Sequence, residues 1–308
     1  MKTPFPIDPV LTGIAIAYSN RSMIADDVLP RVPVGKEEFK YTKYSLAEGF
    51  TVPDTKVGRK SKPNEIEFTG EEVTDSTEDF GLDDPIPMSD ITNAPENYNP
   101  EQRATEQLTN IVELDRELRV AGKVFNAANY SAANKIVLSG TDQWSDFTNS
   151  DPIGDIMLGL DSCIMRPNIG ILGRATMTKL AQHPDVVKAT NRNSGDKGIA
   201  QREAIAALLE LEEVLVGESF VNNARKGQAA SIGRAWGKHA AFIYRDKMAD
   251  NRNGTTFGFT AQFGTRVAGS KEDSDIGLRG GMRVRSGESV KEVLTATDLG
   301  YFIQDAVG

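Results

Sequence analysis

The sequence holds one cysteine, Cys163, and only two histidines, His183 and His239, in 308 residues. A single cysteine excludes an intrachain disulfide framework and fits a reducing compartment. No apolar run approaches the roughly 20 residues that span a bilayer, so no membrane association is expected. Prolines at positions 4, 6 and 9 fall where a signal peptide needs a continuous apolar helix, so secretory export is not expected either. Positive charge is also in short supply: 35 Lys and Arg stand against 44 Asp and Glu, a formal net charge of -9. Coating nucleic acid by neutralising phosphates calls for clustered Lys and Arg, and this balance argues against it. It leaves a container wall open, since a mildly acidic inner face would repel a packaged polyanion and keep it mobile.

Catalytic signatures are missing as well. His183 precedes Pro184 and His239 follows Lys238, and neither has a partner at a metal spacing such as His-Glu-x-x-His. Both read as structural or surface residues. Cys163 sits beside Ile164 on the apolar side of an expected helix and reads as a small hydrophobe, because a nucleophilic thiol needs an electropositive, partly exposed setting. No Gly-x-x-x-x-Gly-Lys-Ser/Thr loop occurs. Asn193-Ser194-Gly195-Asp196-Lys197-Gly198 reads as a surface loop, and the Gly280-Gly281 pair among Arg279, Arg283 and Arg285 as a turn between strands. Nothing singles out a carboxylate pair for acid and base work. No catalytic residue, cofactor or metal is expected, and the chain reads as no enzyme.

What is present is pattern. Prolines at 4, 6, 9, 30 and 33 surround two short apolar stretches, Leu11 to Tyr18 and Met23 to Leu29. Residues 1–35 therefore read as an extended arm packed on something else through Ile14, Ile16 and Tyr18. Phe39 to Tyr44 and Glu65 to Thr69 alternate as two arms of one long hairpin over 36–72. Between them, Glu48 to Pro63 carries four breakers and the basic residues Arg59, Lys60 and Lys62, either as a contact with a neighbouring subunit or as a surface loop with solvated lysines.

Val73 to Pro100 is acidic, rich in turn formers, and reads as a connector. Asn99, Pro100 and Gln102 then give a cap, a first-turn proline and a third-position glutamine, which predict a helix over about 99–125. Its apolar face is read as Ala104, Leu108, Ile111, Leu114 or Asp115, Leu118, Ala121 and Phe125, with Glu113, Asp115, Arg116, Glu117 and Arg119 on the others. About 25 residues reach roughly 38 Å, the length of a strut. From Asp151 onward, helices at 151–166, 173–182 and 199–209 alternate with strands at 168–172, 214–217, 240–244 and 256–260, and β signals return at 282–284 and 299–307. The fold class is α+β.

This order of parts resembles the major capsid proteins of tailed bacteriophages, the Hong Kong 97-type fold, and is similar to the capsid proteins of Mu-like phages. Local wording supports it: Asn168 to Gly173 followed by Leu180-Ala181-Gln182-His183-Pro184-Asp185, then Leu211 to Gly217, Ala241 to Tyr244 and Thr256 to Thr260. The resemblance implies an N-terminal arm at 1–35, an E-loop at 36–72 reaching over a neighbour with Phe50, Arg59, Lys60 and Lys62 near its tip, and a P-domain at 73–150 holding the spine helix. It further implies an A-domain at 151–280 and C-terminal strands at 281–308 returning to the P/A-domain region. Self-assembly into hexamers and pentamers of an icosahedral shell around double-stranded DNA follows, in the virion and built in the host bacterial cytoplasm. A portal protein, a separate scaffolding protein (since the arm begins almost at Met1) and a decoration or minor capsid protein are the implied partners. An encapsulin-like nanocompartment around an enzyme cargo, which shares the fold, and an enzyme with an unrecognised site are the alternatives. The lysine-to-asparagine crosslink of the type member finds no assignable residues.

Overall fold

A computed structural model describes residues 5–43, 52–65, 71–191, 197–225 and 227–308. In chain order these form α1 (Pro9–Ala17), α2 (Ala25–Val28), β1 (Arg31–Val34), β2 (Glu38–Lys43), β3 (Glu71–Ser76), β4 (Glu78–Pro87), α3 (Met88–Thr92) and α4 (Pro100–Val124). There follow β5 (Lys135–Val137), α5 (Pro152–Ser162), β6 (Ile169–Gly173), α6 (Arg174–Gln182), α7 (Pro184–Thr190), α8 (Arg202–Leu208) and β7 (Glu213–Gly217). The chain closes with β8 (Phe220–Asn222), β9 (Ile232–Arg234), β10 (Ala240–Ile243), β11 (Gly258–Asp273), β12 (Gly281–Leu294) and β13 (Gly300–Gln304).

Two sheets organise these elements. A five-stranded mixed sheet runs in the order β5-β13-β10-β6-β7, and a four-stranded one in the order β1-β11-β12-β4. Every residue of β6 and β10 is buried, because both faces of the five-stranded sheet are covered. On one face Ile156, Leu160, Leu180 and Ile205 of the helices pack against Leu172, Phe242 and Ile303. On the other, Val120 and Val124 of α4 and Ile24, Val28 and Leu29 of the arm pack against Ile169, Ile171, Ala241 and Phe302.

Helix α4 ties the sheets together. Asn99 caps it by accepting hydrogen bonds from the Glu101 and Gln102 amides at 3.0 and 3.3 Å, and Pro100 opens it. Its N-terminal half lays Ala104 and Leu108 on Ile86 and Val284 of the four-stranded sheet, and its C-terminal half enters the core behind the five-stranded one. The helix thus buries more than one stripe. Ile111, expected inside, is half exposed, Leu114 and Leu118 are only partly buried, and Arg116 and Glu117, expected outside, are buried. Heptad-like spacing identifies one apolar face and says nothing of a second face whose buried groups are paired ions.

Three further expectations change. The arm is not simply extended, because Asp8 accepts from the Val10 and Leu11 amides and Pro9 occupies the first turn, which starts α1. The acidic connector is instead two strands. β3 pairs with β2 from Glu38↔Ser76 to Lys43↔Glu71, and β4 is an edge strand on β12 whose Asp83 and Glu78 meet Arg285 and Lys291 at 2.6 Å. Pro85 and Pro87 are tolerated there because an edge strand has one unpaired side. Of the expected second hairpin arm only Glu65 is described, and it is irregular; 66–69 lie outside the described residues. Finally, a boundary at residue 280 divides the β11–β12 hairpin, whose strands share one sheet with β1 and β4.

Candidate functional site

Helix α1 lies on β11. The Asp8 amide donates to the Ala268 carbonyl at 3.0 Å, and Thr12 Oγ1 both donates to that carbonyl at 2.9 Å and accepts from the Ala268 amide at 3.1 Å. Gly269 permits the approach, since a Cβ there would stand 2.1 Å from the Pro6 carbonyl oxygen. Leu11, Ala15 and Ala268 make a small core with Ile14 beside it. The helix has no charged residue, yet Val10 and Ile16 on its outer side are 64% and 53% exposed, and Ile7 just before it 62%. Apolar helix surface of this kind is ordinarily covered. Of the three arm residues expected at a contact, Ile16 is exposed, Ile14 faces inward, and Tyr18 is half-buried with its hydroxyl donating to Asn110 Oδ1 at 3.0 Å.

Behind α1, buried charges fix the rest of the arm. The Ile24 amide donates to both oxygens of Glu117 at 3.0 Å, the Ala25 amide to Oε2 at 2.8 Å, and the Trp236 indole N–H to Oε1. This carboxylate therefore caps α2, which has no cap of its own. Burial raises the Glu117 pKa, and the N–H donors only partly offset it. Arg116 binds Asp26, the Leu29 carbonyl at 3.2 Å and Thr260 Oγ1 at 3.0 Å. Arg31 joins Asp26 and Glu288, each at 2.7 Å, and Arg266 joins Glu113 at 2.6 Å and Glu288 at 3.2 Å. Burial opposes ionisation of Asp26 and Glu288, but the surrounding arginines outweigh it and hold both below the ordinary range. For Glu113 burial prevails over Arg266 and the pKa is raised.

The hairpin carries the basic residues outward. Arg59, Lys60 and Lys62 are all exposed, with a turn closed by the Ser61 amide donating to the Gly58 carbonyl at 3.0 Å. Phe50 lies outside the described residues. Other exposed apolar groups escaped sequence reasoning: Leu278, 99% exposed in the turn between β11 and β12, and Phe220 and Ile232 on the β8–β9 hairpin. Only the missing charge in α1 was a usable signal, because an isolated exposed aliphatic has no pattern.

The titratable groups that suggest chemistry serve packing. His183 Nδ1 accepts from the Asp185 amide at 3.3 Å and caps α7, and Nε2 lies 3.2 Å from Ser150 Oγ. His239 Nδ1 accepts from the Asp305 amide at 2.9 Å. Burial lowers both pKa values. Burial also pushes the Cys163 thiol up to about 11, which makes it a poor nucleophile. Among the described residues no three His, Cys, Asp or Glu side chains are grouped to hold a metal, and no helix is long and apolar enough to cross a membrane.

No protein-family model matches the chain. It is 62% identical over 304 residues to the major capsid protein of Pseudomonas phage JBD67, covering 99% of this chain and 98% of that one. It is 28% identical over 320 residues to the major capsid protein of Burkholderia phage BcepMu, covering 98% and 97%. Among solved structures, a phage-related protein of Bordetella bronchiseptica RB50 superposes with a TM-score of 0.75 at 24% identity, covering 99% of this chain and 98% of that one. The capsid of cyanophage P-SCSP1u gives 0.60 at 8% identity, covering 94% and 89%. The two-sheet architecture with its outlying arm and hairpin is the Hong Kong 97-type fold, and with identity of 62% along the whole length to a phage coat subunit, the chain belongs to the phage major capsid proteins.

Proposed function

We propose that this capsid subunit tiles five- and six-membered capsomers of an icosahedral shell around double-stranded DNA. Assembly takes place in the bacterial cytoplasm, with a separate scaffolding protein setting the size of the shell, a portal protein at one vertex and a decoration or minor capsid protein outside. The arm of residues 1–35 and the hairpin of 36–72 are its reaching parts, the latter as the E-loop. The P-domain takes the four-stranded sheet and α4, and the A-domain the five-stranded sheet with its helices. The observation that carries this reading is exposed surface: an uncharged α1 exposing Val10 and Ile16 with Ile7 just before it, and a hairpin tip exposing Arg59, Lys60 and Lys62. Fully burying one such aliphatic side chain is worth about 1.5–3 kcal/mol. Contacts of that size are reversible singly and become cooperative in a closed shell. The net charge of -9 suits a wall that encloses DNA without binding it tightly.

The encapsulin-like alternative rests on fold alone and gains nothing from the 62% identity to a phage coat subunit. The test is charge reversal at the hairpin tip. R59E/K60E/K62E is expected to give folded, soluble subunits and no shells by electron microscopy, and a normal particle yield would contradict the reading.

A further inference from the structure

Beside the arm lies a groove of about 1140 Å³ walled by Arg21 to Asp27 of the arm, Glu113 of α4, Glu203 of α8 and Gln262 to Arg266 around β11. Leu211 through Val216, six consecutive residues, form another part of its wall. A strand that showed one face would contribute alternate residues, so β7 presents its edge there. β7 pairs with β6 and, among the described residues, has no main-chain partner on its other side. A free edge of this kind is a template for strand addition.

Eight carboxylates and five guanidinium groups line the groove. Arg31, Arg116 and Arg266 are already matched to Glu288, Asp26 and Glu113, and Glu213 and Glu218 are shared with Arg245 and Arg174. Among the described residues Asp27 and Glu212 meet no cation at salt-bridge distance, and Glu203 meets only Arg202, at 3.7 Å. Burial, with the neighbouring Glu213 adding to it and Arg245 partly offsetting it, holds the Asp27 carboxyl above its ordinary range.

The same chain carries a segment of matching form. Val52 to Val57 is irregular and mostly exposed, with both valines outward, and its main chain joins no strand. The turn at Gly58 to Ser61 then sets Arg59 and Lys60 at its centre, followed by Lys62. Fifteen residues separate Lys43, at the end of β2, from Arg59, a reach of at most about 58 Å.

We propose that residues Val52 to Val57 of one copy add as a sixth strand to the free edge of β7 in a neighbouring copy, with Arg59, Lys60 and Lys62 seated against Asp27, Glu203 and Glu212. This rests on the assembly role of the hairpin tip and names its receptor. Main-chain hydrogen bonds supply the affinity, and the charges set the register.

Two measurements test it. The groove variant D27K/E203K, like the tip variant R59E/K60E/K62E, is expected to lower shell yield by about tenfold or more, and the combined variant to restore most of it. If the tip variant makes no shells but the groove variant assembles normally, or the combination fails to rescue while both variants melt like the parent, the receptor is wrong and the tip's role stands. If the tip variant assembles normally, that role falls as well. In shells of the unmodified protein, a zero-length carbodiimide should join Lys60 or Lys62 of one chain to Asp27, Glu203 or Glu212 of another, read by mass spectrometry. Shells without those links overturn the proposal, including the case in which the hairpin lysines link to other surfaces.

Discussion

Replacing Glu117 by Gln keeps the shape of the side chain and removes one acceptor. In the native chain Oε1 serves the Trp236 indole and the Ile24 amide, and Oε2 serves Ile24 and Ala25. An amide can leave only one oxygen, so its NH2 must face either Ala25 or Trp236, donor against donor. A lost hydrogen bond to a charged acceptor costs about 1.5–3 kcal/mol, and the donor left behind is itself buried. Removing a buried charge returns part of that. The expected net loss is about 2 kcal/mol, roughly thirtyfold in the folding equilibrium. Urea unfolding of the unassembled subunit reads it directly, because Trp144 and Trp236 are both fully buried and report global unfolding. Hydrogen exchange should localise it to the Ile24 and Ala25 amides. The sign with pH is also fixed: the Glu117 pKa is raised by burial, so its contribution is fully present below the ordinary carboxylate pKa and is lost as pH rises through the raised value. E117Q should lack that component. Unchanged urea midpoint and unchanged protection of the arm would refute the idea that Glu117 fastens it.

Gly269→Ala should detach α1 selectively, since the new Cβ would fall 2.1 Å from the Pro6 carbonyl oxygen; limited proteolysis near residue 10 should speed up while the core melts within about 1 kcal/mol of the parent. His183 has a lowered pKa, caused by burial and partly offset by Asp185, so its contribution is present above the ordinary histidine pKa and lost as pH falls. His183→Asn keeps a good helix cap and should flatten the fall in melting temperature between about pH 7 and 5, measured by calorimetry; an unchanged slope would show that other groups set it. Asp26 and Glu288, held low by their arginines against burial, stabilise the arm above the ordinary carboxylate range and release it as pH falls through their depressed values, an acid-induced gain in arm exchange that D26N should already show near neutrality.

Local signals in the sequence were good guides where one residue does one job. Asn99 and Pro100 start α4 within a residue of the expected place, and the caps at Asp151 and the stop near His183 mark real helix ends. What could not be read was what faces what. Arg116 and Glu117 count as surface in any periodicity because their partners, Asp26 and the amides of Ile24 and Ala25, lie some 90 residues away in sequence. β4 carries Asp79, Asp83, Asp84 and two prolines, a turn-like composition made tolerable by an edge position and by Arg285 and Lys291 on β12. The outward side of α1 became visible only once its inward side was fixed on β11.

The account makes the chain a shell subunit, and imaging of the protein expressed alone tests that most directly. Negative-stain electron microscopy should show closed shells, open sheets or tubes built from five- and six-membered rings. A uniform population of compact monomers, at concentrations where the buried ion pairs and both tryptophans show the chain to be folded, would contradict it.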